Sequence, residues 1–158
     1  MAYHKIFVAL ARTESAEEVF SKALDLAQKD QAQLMLFHAI PLESQSFNAY
    51  PSFYGEDAIR FSQTIQTHIE QQEAQTREWL SDLASKAQQV GVACEWDWKV
   101  GEAGRWVRDL AKNWQADLIV VGRRGLRGMA ELFLGSVSSY VVHHAPCSVL
   151  VVQQADND

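Results

Sequence analysis

Four glycines and two serines stand in one stretch of the chain, GRRGLRGMAELFLGSVS, which runs from residue 122 to residue 138. A phosphate approaches the backbone closely only where N–H groups are free and no side chain blocks the way, and a helix N-terminus improves such a site. Gly122, Gly125 and Gly135 leave that space, while the hydroxyls of Ser136 and Ser138 can donate at the start of the next helix. The stretch therefore predicts a phosphate-binding loop. Glycine spacing alone leaves a simple turn with a helix cap as the alternative.

Two common phosphate-binding motifs are excluded by the same stretch. It contains no GxxxxGK[ST] sequence and no lysine after Gly135, so it is not a P-loop. It also lacks the GxG pair of dinucleotide-binding loops, and it lies near the wrong end of the chain for one. A phosphate cradle formed here must use a different glycine spacing.

Arginines accompany these glycines in a chain that is otherwise acidic. A total of 14 Lys and Arg against 20 Asp and Glu gives a net charge of −6, which argues against a general nucleic-acid or anionic-membrane surface. Two loops that could meet a ligand nevertheless carry four arginines: Arg12, Arg123, Arg124 and Arg127. Their guanidinium groups can clamp phosphate oxygens in bidentate fashion, or they can stand solvated beside neighbouring acids.

Apolar runs and helical patterns alternate along the 158 residues. Behind the first run, Glu17 and Glu18 open a helical pattern, and a longer helical stripe follows the irregular segment 42–57 and reaches Val90. The polar run EQQEAQTRE interrupts that stripe, and we expect the helix to protrude or break there. Strict alternation in CEWDWKV is typical of an edge strand, and a last helix is predicted over about 136–144. The predicted strands cover residues 6–11, 33–40, 94–100, 116–122 and 148–153.

This alternation predicts one domain across residues 1–158, a three-layer α/β sandwich with a parallel sheet and right-handed crossovers. Open sheets of this kind bind ligands beyond the carboxyl ends of the strands, where the strand order reverses, which points to the loops after FVALA and LIVVG. Cys94 and Cys147 stand far apart without metal-ligand spacing, as in proteins of a reducing compartment. No apolar segment approaches ~20 residues. We therefore expect a soluble, cytoplasmic protein.

The pattern formed by Gly122, Gly125, Gly135 and Ser136 resembles the GxxGx9G[S/T] signature of the ATP-binding branch of the universal stress protein family. The likeness extends to KIFVALARTES at the first strand, LFHAI at the second, VGEAG after the third and HHAPCSVLVVQ at the end, so it covers essentially the whole chain. It implies a Rossmann-like fold of the adenine-nucleotide alpha-hydrolase type, with five parallel strands in the order 3-2-1-4-5. It also implies a stress-response or signalling module that binds ATP, ADP or AMP, with or without Mg²⁺.

The same resemblance assigns a site and a partner. It places adenine and ribose near the ends of the first two strands and the triphosphate on the glycine loop. It also implies a homodimer through the last strand, at Val149, Leu150, Val151 and Val152, which would otherwise be an uncovered apolar edge. The residues matched to nucleotide-contact positions, together with loop arginines, are Ala9, Ala11, Arg12, Ala39, Val121, Gly122, Arg124, Gly125, Arg127, Gly135, Ser136, Val137 and Ser138.

One position departs from the family pattern. Relatives usually read VDGS after the first strand, with an aspartate that hydrogen-bonds the nucleoside, whereas this chain reads LART and has Ala11 there. A hydrogen bond to a charged acceptor contributes ~1.5–3 kcal/mol, so its loss is expected to weaken binding roughly 10- to 100-fold. Two other functions therefore stay open: a slow ATP-hydrolysing enzyme, with Glu131 as the only acid in the loop, and an interaction module with a vestigial site.

Histidines and aromatic residues outside the glycine loop allow further interpretations. The run HHAPC lacks both the spacing of a helical metal-binding pair and a fourth ligand, so we expect no metal site there. His38 ends a buried strand, and we expect it to be packed and hydrogen-bonded rather than a catalytic base. An aromatic segment could cover the nucleotide or a partner, or pack locally; its rings are Phe47, Tyr50, Phe53 and Tyr54.

Overall fold

Five parallel strands form the central sheet of the protein, and helices cover both of its faces. The computed structural model describes residues 2–42, 56–123 and 135–153. The elements follow one another as β1 (Lys5–Ala9), α1 (Ala16–Asp30), β2 (Gln33–Ile40), α2 (Glu56–Gln89), β3 (Cys94–Val100), α3 (Ala103–Trp114), β4 (Leu118–Gly122), α4 (Ser136–His144) and β5 (Ser148–Val152).

The strand order is β3-β2-β1-β4-β5, and every neighbouring pair is parallel, which confirms the predicted topology. Val8 of β1 lies opposite Leu36 of β2 on one side and Val120 of β4 on the other. The chain therefore leaves β1 and β4 toward opposite halves of the sheet, which opens a crevice beyond their carboxyl ends. The outer strands are β3 and β5, so the prediction that 94–100 is an edge strand is confirmed.

Alternation along the strands divides the core into two layers. Ile6 and Val8 pack with α1 and α2, whereas Phe7 between them packs with α3 and α4. Burial of a Val, Leu, Ile or Phe side chain contributes about 1.5–3 kcal/mol to the stability of the fold. The sheet is therefore stabilised by both layers. The helices contribute Val19, Phe20, Leu80 and Leu83 to the first layer and Val107, Ala111 and Val141 to the second.

The long helix α2 is continuous through EQQEAQTRE, so of the two alternatives expected there, a protrusion or a break, the break does not occur. It has 34 residues, and the segment passes through it with Thr76 fully buried. Val90, predicted to belong to the buried stripe, is 49% exposed, and that prediction was wrong. The cause is local: the helix ends at Gln89, and the chain then turns through Gly91 at a φ of 84°. No helix in the described ranges is long and apolar enough to cross a bilayer.

A close contact between α3 and α4 sets the position of α4. A Cβ atom added at Gly104 would lie 2.7 Å from Cδ1 of Tyr140, so the ring fits only because residue 104 has no side chain. Arg108 holds the same ring from the other direction, because its Nη1 donates to the Tyr140 hydroxyl at 2.6 Å. These two contacts hold α4 against α3.

Candidate functional site

A pocket of about 160 Å³ opens at the crevice beyond the carboxyl ends of β1, β2 and β4. The start of α1 and the start of α4 form two of its walls, and α3 contributes Ala103 and Val107. Nine of the predicted site residues line it: Ala9, Ala11, Ala39, Val121, Gly122, Gly135, Ser136, Val137 and Ser138. The structure therefore brings together residues that lie up to 129 positions apart in the sequence (138 − 9 = 129).

The N-terminus of α4 offers this pocket a set of backbone donors. Its cap residue is Gly135, with a φ of 85° and a ψ of 153°, a conformation essentially restricted to glycine. The first bond within the helix runs from the Ser139 N–H to the Gly135 carbonyl at 2.9 Å. The N–H groups of Ser136, Val137 and Ser138 precede that bond, so no carbonyl of the helix can satisfy them. These donors and the helix dipole favour an anion at this wall of the pocket.

A hydrogen bond ties α4 to the end of β4 beneath these donors. The Ser138 hydroxyl donates to the Gly122 carbonyl at 2.6 Å, and Ser138 is only 4% exposed. The sequence predicts that this hydroxyl donates to a phosphate, but its single proton is already engaged, so only the backbone N–H of Ser138 is left for that role. Gly122 is also held by α1, because a Cβ there would lie 2.9 Å from Cγ2 of Val19.

The predicted arginines do not all face the pocket. Arg12 turns to α2 instead, where its Nη1 donates to Oε1 of Gln75 at 3.3 Å and its guanidinium lies 5.4 Å from the Trp79 ring centroid. Arg123 lines the pocket, and its Nη1 donates to Oε1 of Gln153 at 3.3 Å. Three predicted site residues lie outside the described residues, as does the aromatic segment with Phe47, Tyr50, Phe53 and Tyr54; the three are Arg124, Gly125 and Arg127.

His38 is packed in the pocket wall, as the sequence predicts. It is 5% exposed, its Nδ1 lies 2.7 Å from the Leu10 carbonyl, and Trp79 meets its ring edge-on at 5.4 Å between centroids. Because a carbonyl only accepts, Nδ1 must carry the proton, and the neutral ring keeps Nε2 as an acceptor. Burial lowers the pKa of His38 below its ordinary value; the Leu10 hydrogen bond opposes this shift, and the positive charge of Arg12 adds to it.

This lowered pKa gives the protein a pH-dependent stability. Unfolded His38 takes up a proton near its ordinary pKa of 6.5, whereas the buried ring resists protonation. The unfolded state then binds more protons, so the free energy of unfolding decreases as the pH falls from about 7.5 to about 5.5. We expect His38→Gln to flatten this slope in urea unfolding, and the same change at the exposed His68 to leave it as in the wild type. Equal slopes for all three proteins would contradict this assignment.

Several pocket residues were not predicted from the sequence. Thr13 and Ser15 line the pocket with their hydroxyl oxygens 2.9 Å apart, and both lie in the loop after β1 that the sheet topology had singled out. Their hydroxyl groups, in a loop already expected to meet a ligand, could have identified them as pocket residues from the sequence. Ala103 and Val107 carried no such signal, because only the packing of α3 on the sheet turns them toward the crevice.

The histidines of HHAPC engage the backbone of their own helix. Nδ1 of His143 lies 2.7 Å from the Ser139 carbonyl, and Nδ1 of His144 lies 2.9 Å from the Tyr140 carbonyl. Across the described ranges, no group of three or more His, Cys, Asp or Glu side chains is arranged to hold a metal ion. Burial raises the pKa of the Cys94 thiol to about 12 and also raises that of Cys147, so both thiols are poor nucleophiles.

The structure is that of an α/β protein with a pocket at the point where the strand order of its parallel sheet reverses. The sequence model of the Universal stress protein family matches residues 2–153. The chain belongs to this family. Universal stress protein Sll1388 of Synechocystis sp. is 61% identical to it over 153 residues, which are 97% of this chain and 99% of that protein.

Solved structures share the same fold. That of hypothetical protein MJ0577 covers 100% of both chains with a TM-score of 0.80 and 19% identity. A universal stress protein family protein of Arabidopsis thaliana, solved with AMP bound, gives a TM-score of 0.64 and 22% identity, over 98% of this chain and 94% of that one. At these identities, the likeness establishes a common fold.

Proposed function

We propose that the pocket between β1, β4 and α4 binds an adenine nucleotide, ATP, ADP or AMP, with or without Mg²⁺, and that the protein acts as a nucleotide-dependent stress-response or signalling module. One observation carries the proposal: the glycine-capped N-terminus of α4 opens into the crevice with three backbone donors at Ser136, Val137 and Ser138. Such an arrangement suits phosphate oxygens.

The two parts of the pocket suit the two parts of a nucleotide. Ala9 of β1 and Ala39 of β2 have small apolar side chains, which leave room for a flat base, and Phe37 and Val107 add apolar surface around them. Hydroxyls and N–H groups line the other side, at the starts of α1 and α4. The phosphates therefore lie toward Gly135, and the base toward Ala39.

Charge favours the same ligand. Among the described residues, the pocket lining includes Arg123 and the neutral His38 but no carboxylate, in a chain of net charge −6. An anion entering here meets no like charge from these residues, while the helix dipole and Arg123 attract it. The AMP-bound relative supports the assignment, since it shares this fold. In our proposal Arg124, Gly125 and Arg127 complete the phosphate-binding side.

Mass spectrometry of small molecules released from freshly purified, denatured protein tests the proposal without assuming which nucleotide binds. We expect AMP, ADP or ATP at up to about one equivalent per chain, lost on extensive dialysis if the missing carboxylate at Ala11 leaves binding weak. Release of a different ligand that competes with added AMP would contradict the proposal.

We further propose that two copies of the chain associate through β5. Arg123 donates its N–H to the Val152 carbonyl at 2.9 Å, so Val152 and its alternate neighbours direct their backbone groups toward β4. Val149 and Val151 direct theirs outward, beside the exposed Leu150, and no described side chain caps them. Such an edge suits pairing with a second copy. Light scattering should give twice the chain mass of 17.8 kDa, and a monomer mass at all concentrations would contradict this.

A further inference from the structure

The two edges of the sheet differ in a way that the nucleotide site does not explain. An edge strand presents unpaired N–H and C=O groups that can template the strand of another chain. In a parallel ladder, alternate residues direct these groups to the neighbouring strand, and the residues between them direct theirs away. The donors and acceptors that face outward can therefore be identified for β3.

Two backbone bonds fix this alternation in β3. Leu34 donates its N–H to the Ala93 carbonyl at 2.9 Å, and Gly101 donates its N–H to the Ile40 carbonyl at 3.0 Å. The odd-numbered residues from 93 to 101 thus face β2. The residues whose backbone groups face outward are Cys94, Trp96, Trp98 and Val100.

Three side chains occupy these outward-facing groups. Nε2 of Gln88 donates to the Cys94 carbonyl at 3.2 Å, and the indole N–H of Trp106 donates to the Val100 carbonyl at 3.2 Å. Between them, the Trp98 N–H donates to Oδ1 of Asp97 at 2.8 Å.

Every cap therefore falls on a residue of the outward-facing set. Within the described part of the chain, only Trp96 keeps both its N–H and its carbonyl uncapped on that side. One such residue is too few for a strand ladder, which needs successive alternate residues.

Charges along the same strand add to this protection. Glu95, Asp97 and Lys99 alternate with the tryptophans, and the guanidinium of Arg77 lies 5.3 Å from the Trp98 ring centroid. Charged side chains on an edge strand oppose the approach of another strand. The β5 edge shows neither feature, since SVLVV carries no charge and Val149 and Val151 face outward without side-chain caps from described residues.

We propose that Gln88, Asp97 and Trp106 close the β3 edge to strand addition, so that a second copy of this chain can associate only through the β5 edge. Closing one of two edges limits assembly to a pair, because open edges at both ends of a sheet would let copies add indefinitely. Closure of the β3 edge does not depend on nucleotide binding. The statement that a second copy pairs through β5 rests on the proposed β5 dimer, whereas the closure of β3 does not.

The test compares a variant without caps, Gln88→Ala/Asp97→Ala/Trp106→Phe, with a matched variant, Gln89→Ala/Glu70→Ala, which changes an adjacent amide and an exposed carboxylate of α2 that has no part in the proposed closure. Sedimentation velocity over an about 100-fold concentration range should give a weight-average mass for the first variant that rises to at least about twice the wild-type value. The matched variant should follow the wild type.

Adding Trp96→Pro to the variant without caps should abolish the extra association, because proline removes an outward-facing N–H that an edge strand can lose. Wild-type mass for the folded variant without caps, or association that survives Trp96→Pro, would overturn the proposal. If the triple variant does not fold, the single variant Asp97→Ala tests the proposal by hydrogen exchange. Its Trp98 amide should then exchange hydrogen faster than in the wild type, and unchanged exchange would show that the cap does not form in solution.

Discussion

We expect Gly135→Val to abolish nucleotide binding and Gly91→Val to leave it at the wild-type value, although the two glycines have almost the same φ of 85° and 84°. A valine at either position is strained by about 1–3 kcal/mol, so both variants lose stability. Only Gly135 caps α4 at the pocket. A valine at position 135 relieves its strain by moving the backbone directly before Ser136, the first of the three residues whose N–H groups we propose as phosphate donors.

The size of this effect follows from the donors that are lost. Hydrogen bonds to a charged acceptor contribute about 1.5–3 kcal/mol each, so misplacing two of the three donors at Ser136, Val137 and Ser138 weakens binding at least about 100-fold. Calorimetric titration with ATP measures the change, and urea unfolding verifies that both variants remain folded. Gly91 is a matched control because a Cβ there meets no atom within 4 Å. Equal losses of affinity in the two variants would show that the effect is general destabilisation.

Ala11→Asp should strengthen nucleotide binding roughly 10- to 100-fold, because it returns a charged acceptor for the nucleoside hydroxyls. Ala11 is exposed, lines the pocket and follows the end of β1 at Ala9, so the new side chain meets no packed neighbour. The resemblance places the family's aspartate at this position. The gain should appear with AMP as well as with ATP, since the contact is to the nucleoside.

Ala11→Asn separates charge from shape in this experiment. The amide has nearly the same size as the carboxylate, but it accepts a weaker hydrogen bond, so it should recover only a small part of the gain. A 2′,3′-dideoxy nucleotide should show no gain with Ala11→Asp, because it lacks the ribose hydroxyls. Weaker AMP binding to Ala11→Asp than to the wild type would place the nucleoside elsewhere.

The fold could be predicted from the sequence because its signals are local. Apolar runs and, in CEWDWKV, strict alternation mark the five segments proposed as strands, and all five form strands. The strand order followed from the family resemblance and not from these local signals. The last helix also begins and ends where predicted, at Ser136 and His144. The errors lie at the ends of strands and helices, where periodicity gives no information. The first strand was predicted to reach residue 11 but ends at Ala9, and Val90 continues the apolar stripe of α2 although the helix has already ended.

The pocket could be predicted only in part, because contacts between distant residues decide its details. Arg12, in the loop after β1, was predicted as a possible phosphate contact, but its guanidinium lies over the ring of Trp79, 67 positions away (79 − 12 = 67), and Arg12 does not line the pocket. The Ser138 hydroxyl is engaged by the Gly122 carbonyl, which a motif cannot reveal. The glycine at position 135, in contrast, could be singled out from the sequence, and its φ of 85° is one that favours glycine.

Isothermal titration of the wild-type protein with AMP, ADP and ATP, each with and without Mg²⁺, tests the central claim most directly. Our proposal predicts saturable heat at about one nucleotide per chain for at least one of the three, with a matching rise in thermal stability. That heat should disappear in Gly135→Val. No heat and no thermal shift at millimolar concentrations of all three nucleotides would contradict it.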